Sequence, residues 1–488
     1  MESRIAFDRY YRELGRKSEA LFQALREAIV EGVLTEGMRL PSSRKLAELY
    51  NLSRGSVNQA YEMLIAEGFV RTEAGSGTFV AFRVSETAEA RRRGEISSAP
   101  IALSGWAQRL EAARRPDDSG GQEAAGQIDF NIGQVDPGLF PVEGWKTSLY
   151  AEIREMMDHW PIPAAPLEGY MPLREAIAHE LRRSRGIDAE PSHLFITNGS
   201  MQAIALLSLL LVSPGSAVVL ENPGYPGTKS AVQAAGGSII AAPVDDCGIV
   251  PADWAAQLLF VTPTRHFPSG AVLTAGRRKE LLEWAGTRGA VIVEDDYDSE
   301  LRWGGRPAEP LKALDREGRV VYLGTFSKTM YSDLRIGYAV LPESLVEPFR
   351  RAKALLEPLP SGMAEQRALA NFMASGGYAR HLRRMRRVCG RRLIRFQEQM
   401  NGRLERWFRW VETDAGLHLY AQWRGEAEDY ARFQAACGNA GVRWSDGGRF
   451  WIGKREYCSA LFGFSHLTEE MIELGASRME EVAKSLFE

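Results

Sequence analysis

Residues 291–300 read VIVEDDYDSE, and this stretch decides how most of the 488-residue chain folds. Its apolar run, residues 291–293, predicts a buried strand, in which successive side chains point to opposite faces. Asp295 and Tyr297 therefore share one face at the end of the strand, and Asp296 lies on the other. An acid and a phenol on one face can bind one aromatic ring, the acid at a protonated ring nitrogen and the phenol at a ring oxygen.

The surrounding sequence alternates strand-like apolar runs with helical stretches from Ile128 onward. The strand-like runs are LFIT, AVVL, SIIAAPV, LLFVTP, AVIVEDD and VVYLGTF. Such alternation predicts an α/β fold with a mostly parallel sheet covered by helices. After about residue 345, long helices and then short strands predict a smaller α+β lobe. We expect one unit over residues 126–488, with a large lobe at about 140–345 and a small lobe at about 346–488.

A lysine follows the last of these strands in the segment GTFSKTM. A site for pyridoxal 5'-phosphate (PLP) needs a lysine for the Schiff base, an acid for the ring nitrogen, a donor to the phenolic oxygen, a stacking face and a phosphate cradle. Lys328, Asp295 and Tyr297 supply the first three. The segment ITNGSMQAIALL marks a strand that turns into a helix, which is a natural anion site. The remaining predicted cofactor contacts are Asn198, Gly199, Ser200, Met201, Tyr225, Thr325, Ser327 and Arg335.

The N-terminal segment predicts a different module. Residues 40–80 read LPSSRKLAELYNLSRGSVNQAYEMLIAEGFVRTEAGSGTFV, which predicts two capped helices and a small hairpin after an amphipathic helix. Three helices and a hairpin make a winged helix-turn-helix, which we expect over residues 1–82. The second helix of such a motif reads bases in the major groove. Arg54 suits guanine and Asn58 suits adenine. The other predicted DNA contacts are Arg44, Ser53, Ser56, Arg71, Gly75 and Gly77.

Charge and composition set limits on these predictions. The net charge is −3, and residues 1–80 carry eleven basic and eleven acidic residues, so DNA affinity requires a local basic face. The four cysteines are widely spaced without metal-binding motifs, which favours reduced thiols, a cytoplasmic protein and no metal. The charged N-terminal residues lack the apolar core of a signal peptide. The longest apolar run, residues 203–212, is too short to span a membrane, so we expect a soluble protein.

Two further segments have distinctive compositions. Residues 83–125 are polar and rich in Gly, Ser and Ala, which predicts a linker with one candidate ordered piece at IALSGWAQRL. Residues 378–396 are dense in arginine. They predict either a solvated or ion-pairing helix face or a secondary DNA contact.

These motifs carry a family resemblance. The N-terminal segment resembles the winged-helix domain of GntR-family bacterial regulators, and the rest is similar to fold-type I aminotransferases over about 350 residues. Together they resemble the MocR subfamily. That resemblance implies an effector sensor rather than a metabolic enzyme, a head-to-tail homodimer and a double-stranded DNA operator. It also implies that PLP forms an internal aldimine with Lys328, which an amino-group effector displaces to form an external aldimine.

Some positions depart from the family pattern. The segment VTPTRHFPSG stands where the family usually reads TPSHQFPTG, so Arg265 and His266 replace a His-Gln pair near the cofactor. His266 is either a ring-side contact or a structural histidine. An effector carboxylate needs an arginine, and Arg443 and Arg449 are the candidates. Leu461 lies where many aminotransferases place that arginine, which counts against ordinary transamination of α-amino acids.

Two other functions remain open. One is a working aminotransferase that also binds DNA, which multiple turnover with an amino donor and a keto acid would reveal. The other is a regulator that responds to PLP itself, which a titration of DNA binding without amines would reveal.

Overall fold

The computed structural model describes residues 5–73, 75–82, 101–112, 126–161, 165–304 and 308–488. They form two compact units, Met1–Ala102 and Leu103–Glu488. The expected linker, residues 83–125, lies outside the described residues except for residues 101–112. There the second unit begins with a helix, which the Arg109 Nε group anchors by donating to the Ala234 carbonyl at 3.0 Å.

The first unit is a winged helix. Its elements are α1 (Phe7–Leu14), α2 (Lys17–Val30), α3 (Ser43–Leu49), α4 (Arg54–Ala66), β1 (Val70–Glu73) and β2 (Gly77–Val80). Ser42 caps α3 and Ser53 caps α4, each through its hydroxyl oxygen, as the turn residues predicted. The sequence reasoning missed α1, a short helix that buries little besides Phe7 and ends at Gly15 in a left-handed conformation.

The second unit contains the predicted α/β sheet. In the described residues it has eight strands in the order β4-β11-β10-β9-β8-β5-β6-β7. Strands β11 and β7 run antiparallel to their neighbours and the others are parallel. The strands are β4 (Leu194–Asn198), β5 (Ala217–Asn222), β6 (Ser238–Asp245), β7 (Gly248–Ile249), β8 (Leu258–Val261), β9 (Val291–Asp295), β10 (Val320–Thr325) and β11 (Ile336–Val340). The predicted strand runs all lie in this sheet.

Helices cover the sheet and connect its strands. They are α5 (Gly105–Ala112), α6 (Val142–Asp158), α7 (Met171–Arg185), α8 (Ser200–Leu211), α9 (Pro226–Ala235), α10 (Ala275–Arg288), α11 (Leu311–Leu314), α12 (Glu343–Leu356) and α13 (Met363–Ala374). Leu369 and Phe372 of α13 pack in one core with Trp145 and Ile177. The large lobe therefore continues past residue 345, because these apolar side chains are buried against its helices.

A five-stranded sheet organises the small lobe, in the order β12-β13-β15-β14-β3. Its elements are β3 (Ile128–Phe130), α14 (Gly377–Leu404), β12 (Phe408–Trp410), β13 (His418–Trp423), α15 (Ala427–Asn439), β14 (Val442–Asp446), β15 (Ser459–Gly463) and α16 (Glu469–Phe487). Strand β3 pairs in parallel with β14 from more than 300 residues away, which the expected lobe boundaries did not include. In the described part of the chain, every helix is too short or too polar to cross a lipid bilayer.

Candidate functional site

A cavity of about 600 Å³ opens beyond the carboxyl ends of the parallel strands, between the two lobes. This edge of an open α/β sheet is where ligands usually bind. The cavity brings together ten of the predicted residues: Ser200, Met201, Tyr225, Asp295, Tyr297, Thr325, Ser327, Lys328, Arg335 and Arg449. Residues from sequence positions 200 to 449 therefore meet in one site.

Asp295 ends β9 and points into this cavity. Its Oδ1 atom is buried and has no hydrogen-bond partner among the described residues. Burial above all, together with the neighbouring Asp296 and Asp298 carboxylates, raises the pKa of Asp295 to about 7. A buried acceptor in this position fits the protonated ring nitrogen of PLP, which would supply a donor and favour the carboxylate.

Asp296 lies on the opposite face, as strand alternation predicted. Its Oδ2 atom accepts hydrogen bonds from the Arg185 Nη2 group at 2.7 Å and the Tyr322 hydroxyl at 2.6 Å. Arg185 is 7% exposed and also donates to the Thr264 hydroxyl at 2.8 Å. These bonds hold Asp296 on the core-facing side of β9, so Asp295, on the other face, can contact a ligand.

A second acid lies close behind Asp295. Glu221, at the end of β5, accepts hydrogen bonds from the Thr262 amide at 3.1 Å and the Thr262 hydroxyl at 2.6 Å. Burial above all, together with the charge of Asp295, raises the pKa of Glu221 to about 8, although the hydrogen bonds from Thr262 oppose the shift. Glu221 and Asp295 both border a small side chamber of about 30 Å³, which is large enough for one water molecule.

Arg265 holds Tyr297 in place. Its Nη1 atom donates to the Tyr297 hydroxyl and to Asp298 Oδ2, both at 2.9 Å, and its Nη2 atom donates to the His418 carbonyl at 2.7 Å. Burial keeps the pKa of Tyr297 well above its ordinary value, so the phenol retains its proton. The sequence reasoning noted Arg265 as a departure from the family but did not identify this role.

Lys328 lies in the loop after β10 and lines the cavity. Burial lowers the pKa of its ammonium group, while the charge of Asp298 opposes that shift. A lowered pKa increases the fraction of neutral amine, which is the nucleophilic form. The Thr325 hydroxyl accepts from the Ser327 amide at 3.2 Å and so shapes the turn that presents the lysine.

The predicted phosphate cradle is assembled at the start of α8. Ser200 is the first residue of the helix, and Gly199 precedes it with φ of +74°. The Arg335 guanidinium lies directly against Gly199, where a Cβ atom would overlap it, and Nη2 donates to the Asn198 carbonyl at 3.2 Å. An arginine beside a helix N-terminus fits a phosphate. Asn198 and Gly199 themselves do not line the cavity; they position Arg335.

Tyr225 and His266 differ in their placement. Tyr225 lines the cavity and contacts Phe267 edge to face, with ring centroids 5.7 Å apart. His266 is 1% exposed and does not line the cavity, so the structural alternative applies and not the ring-side contact. Its Nε2 group donates to the Pro223 carbonyl at 3.0 Å, and the Ser269 hydroxyl lies 2.7 Å from Nδ1. Burial lowers the pKa of His266 to about 3.

The two arginines predicted to bind an effector carboxylate also lie in different places. Arg449 lines the cavity next to Phe450, whereas Arg443 is exposed on β14 and does not line it. The prediction of Arg443 as a carboxylate ligand is therefore not supported, because alternation along β14 turns its side chain to solvent. Leu461 is fully buried and packs with Tyr420 and Phe450.

Several cavity residues were missed because they come from distant segments without local motifs. They are Ile132, Gly133, Gln134, Pro226, Thr262, Phe267, Asp298, Ser332, Leu417, His418, Asp446 and Phe450. Asp298 was within reach of sequence reasoning, since it follows Tyr297 in the quoted stretch. Burial and the charge of Arg265 keep the pKa of His418 well below its ordinary value, so His418 is neutral.

The predicted DNA-reading residues of the first unit lie mainly on exposed positions of α3, α4 and the hairpin. Arg54 begins α4 and Asn58 is exposed one turn later. The hydroxyls of Ser53 and Ser56 lie 2.8 Å apart within the helix cap, so both are engaged in the cap. Arg44 pairs with Glu48 at 3.3 Å and Arg71 pairs with Glu73 at 3.2 Å.

The wing glycines have distinct constraints. Gly75 has φ of +77° and Gly77 has φ of +119°, which lie in the region that favours glycine. A Cβ atom on Gly77 would lie 2.8 Å from Arg39 Nε, so glycine also lets this arginine pack on the wing. Arg39 was not predicted.

Comparisons with known proteins agree with both units. Residues 17–80 match the family model "Bacterial regulatory proteins, gntR family", and residues 163–457 match "Aminotransferase class I and II". The probable rhizopine catabolism regulatory protein MocR of Rhizobium meliloti is 33% identical over 474 residues, covering 96% of this chain and 93% of that protein. The HTH-type transcriptional regulator TauR of Rhodobacter capsulatus is 34% identical, covering 76% of this chain and 77% of that protein.

Solved structures resemble the second unit. Kynurenine aminotransferase of Pyrococcus horikoshii, in complex with PMP, superposes with a TM-score of 0.69 and 25% identity, covering 83% of this chain and 100% of that chain. LysN, an α-aminoadipate aminotransferase of Thermus thermophilus, gives a TM-score of 0.68 and 25% identity, covering 79% of this chain and 97% of that chain. The chain therefore belongs to the MocR subfamily of the GntR family of bacterial regulators, in which a winged helix-turn-helix is joined to an aminotransferase class I and II domain.

Proposed function

We propose that this protein is a PLP-dependent transcription regulator whose aminotransferase-like unit senses an amine. The observation that carries the proposal is that one chain joins a winged helix to a cavity in which Lys328, Asp295, Tyr297 and Arg335 converge. The relatives MocR and TauR, both named as regulators, support the same interpretation over most of the chain.

The chain's own residues divide the work of holding the cofactor. When bound, PLP would supply an aldehyde that can condense with a primary amine, that of Lys328 or that of an effector. Asp295 would keep a proton on the ring nitrogen, and Tyr297 would donate its hydroxyl proton to the ring oxygen. Arg335 and the N-terminus of α8 would bind the phosphate. Tyr225 would provide an aromatic surface at the ring.

Asp298 and Arg265 control the protonation of this site. Arg265 bridges the Tyr297 hydroxyl and the Asp298 carboxylate at 2.9 Å each, so the phenol is oriented and the acid is partly neutralised. Asp298 in turn opposes the loss of the Lys328 proton. The charge of Asp298 thus partly offsets the effect of burial on the Lys328 pKa.

The same cavity contains residues suited to recognise the effector. Arg449 is the predicted carboxylate ligand that lines the cavity, and Asp446 caps the same turn. The apolar part of the lining includes Phe267, Leu417 and Phe450. We propose an amine effector whose carboxylate pairs with Arg449, because a planar guanidinium binds a carboxylate through two parallel hydrogen bonds.

For the protein to act as a sensor, effector binding must change its binding to DNA. The cavity lies between the lobes, so an effector that touches both lobes favours one relative position of the lobes. In a head-to-tail homodimer, which we propose from the family, that shift would alter how the two winged helices meet the operator.

A metabolic role is the alternative, favoured by the complete set of Lys328, Asp295, Tyr297 and Arg335. Multiple turnovers with an amino donor and a keto acid would support it over the sensor.

The test compares Lys328→Ala with Lys279→Ala, which removes an exposed lysine on α10. An operator is first selected from random duplexes with the full-length protein, and its affinity is measured with PLP and a panel of primary amines. Both variants should bind the operator, but only Lys279→Ala and wild type should respond to an amine. A response that persists in Lys328→Ala would refute the proposal. A response to PLP alone, without amines, would favour PLP as the signal.

A further inference from the structure

Helix α14 (Gly377–Leu404) carries an unusual concentration of charge. Between residues 377 and 397 it contains eight arginines and neither an aspartate nor a glutamate. By contrast, residues 1–80 contain eleven basic and eleven acidic residues, so this segment has no net charge to attract DNA. Among the described helices, the densest run of positive charge therefore lies in the aminotransferase-like unit.

Four of these arginines form one exposed row. Arg380, Arg383, Arg384 and Arg387 are all exposed and are spaced by three, one and three residues, which places them on one face of the helix. At a rise of about 1.5 Å per residue the row is roughly 10 Å long. We call these four residues the arginine row. Arg391 continues the same face but shares a groove with acidic side chains such as Glu398 and Glu473.

The charge of the arginine row is not neutralised within the described residues. No described carboxylate lies within 4.0 Å of these four guanidinium groups, although Arg392 and Arg395 of the same helix pair with Asp136 and Glu473, each at 2.7 Å. Within the row, Arg380 donates to the Ser375 carbonyl and Arg384 donates to the Gly138 carbonyl, each at 3.2 Å. Those bonds orient the side chains and leave their charge intact.

Closely spaced, unneutralised arginines suit a polyanion with regularly spaced charges, and duplex DNA carries about one phosphate per 1.7 Å of its axis. Arginine also binds phosphate through two parallel hydrogen bonds. The row is long enough to meet two or more phosphates at once. An acidic protein partner is a weaker match for the arginine row. Its carboxylates would have to be placed at the right spacing by its own fold, whereas the DNA backbone repeats its charges regularly.

We propose that Arg380, Arg383, Arg384 and Arg387 make a second, sequence-independent contact with DNA, so that the sensing unit itself binds the duplex. This inference rests on the proposed function, in which the winged helix reads an operator. The two units would then contribute differently to the affinity for DNA. The winged helix supplies sequence preference, and the arginine row supplies electrostatic attraction.

The experiment replaces all four arginines by glutamine in the full-length, PLP-loaded protein. The matched control replaces Arg182, Arg183, Arg351 and Arg432 by glutamine, because these are also exposed but are each paired with a carboxylate. The probe is a random-sequence duplex of about 40 base pairs, and fluorescence anisotropy gives the affinity between roughly 50 and 200 mM KCl. Size and mass are measured for each variant.

Affinity for DNA decreases as salt increases, so the slope of log affinity against log salt is negative. The proposal predicts that this slope becomes less steep by about two to four in the row variant, since each lost phosphate contact removes about 0.9 from its magnitude. The control should keep the wild-type slope. An unchanged slope in the row variant overturns this inference and leaves the proposed function standing. A row variant with altered oligomer mass also overturns it, because the arginines would then hold two copies together. Absence of wild-type binding to any duplex would refute the proposed function as well.

Discussion

Replacing Asp295 by asparagine should stabilise the cofactor-free protein above neutral pH while weakening its affinity for PLP. Asp295 is half-buried, its buried Oδ1 atom lacks a hydrogen-bond partner among the described residues, and its pKa rises from 3.8 to about 7. Between these values the folded protein holds a proton that the unfolded chain has released. The unfolded state then binds fewer protons, so stability falls as the pH rises through this window. Asparagine has nearly the same shape and no charge to desolvate.

The size of the expected stability difference follows from the pKa shift of Asp295. At about 1.36 kcal/mol per pKa unit, the full penalty of ionising Asp295 is at most about 4 kcal/mol above pH 7. Between pH 5 and pH 8 the stability difference between Asp295→Asn and wild type should grow by about 3 kcal/mol. Taking the difference between the two proteins cancels the titration of buried acids whose pKa does not depend on the charge of Asp295.

Urea unfolding followed by tryptophan fluorescence measures this difference. All eleven tryptophans lie between Trp106 and Trp451, so their fluorescence reports on the second unit alone. Asp158→Asn, at an exposed position that ends α6, serves as the control. PLP affinity, measured by absorbance, should drop by about 10- to 100-fold in Asp295→Asn, since a charge-assisted hydrogen bond contributes about 1.5–3 kcal/mol. A stability difference that stays constant from pH 5 to pH 8 would refute the assignment of Asp295 as a buried acid awaiting a ring nitrogen.

Three further changes test other parts of the site. Arg185→Met leaves the Asp296 carboxylate buried without its cation, and urea unfolding should show a loss of about 3–5 kcal/mol; a loss below about 1 kcal/mol would contradict the role of this ion pair. Gly199→Ala strains a residue with φ of +74° and displaces Arg335, so absorbance titration should show PLP affinity at least about 10-fold weaker with DNA binding intact. Arg54→Gln should cost about 1–3 kcal/mol of operator affinity by anisotropy without changing PLP affinity, and equal losses on random and selected duplexes would exclude a base contact.

Local periodicity was enough to predict much of the fold and part of the site. The strand run before Asp295 fixed which acids face the cavity and which face the core, because side chains alternate along a strand. The glycine and serine at the start of α8 were also predictable as a candidate anion site, since a strand that turns into a helix N-terminus has a local signature.

The missed features depend on contacts between distant residues. Arg265 meets Tyr297 and Asp298 across two strands, and His418 reaches the cavity from the small lobe. Strand β3 joins β14 from more than 300 residues away. His266 shows the same limit: in a loop after a strand, sequence does not tell which side chains face the cavity, and here the ring is buried and bonded to the Pro223 carbonyl.

The most direct test of the account is to saturate the full-length protein with PLP, reduce it with borohydride and identify the labelled residue by peptide mass spectrometry. The account predicts about one phosphopyridoxyl group per chain, on Lys328, and none after prior incubation with an amine that alters operator binding. A protein that takes up no label, or takes it up on another lysine, would contradict the central claim that Lys328 links the cofactor to the regulation of DNA binding.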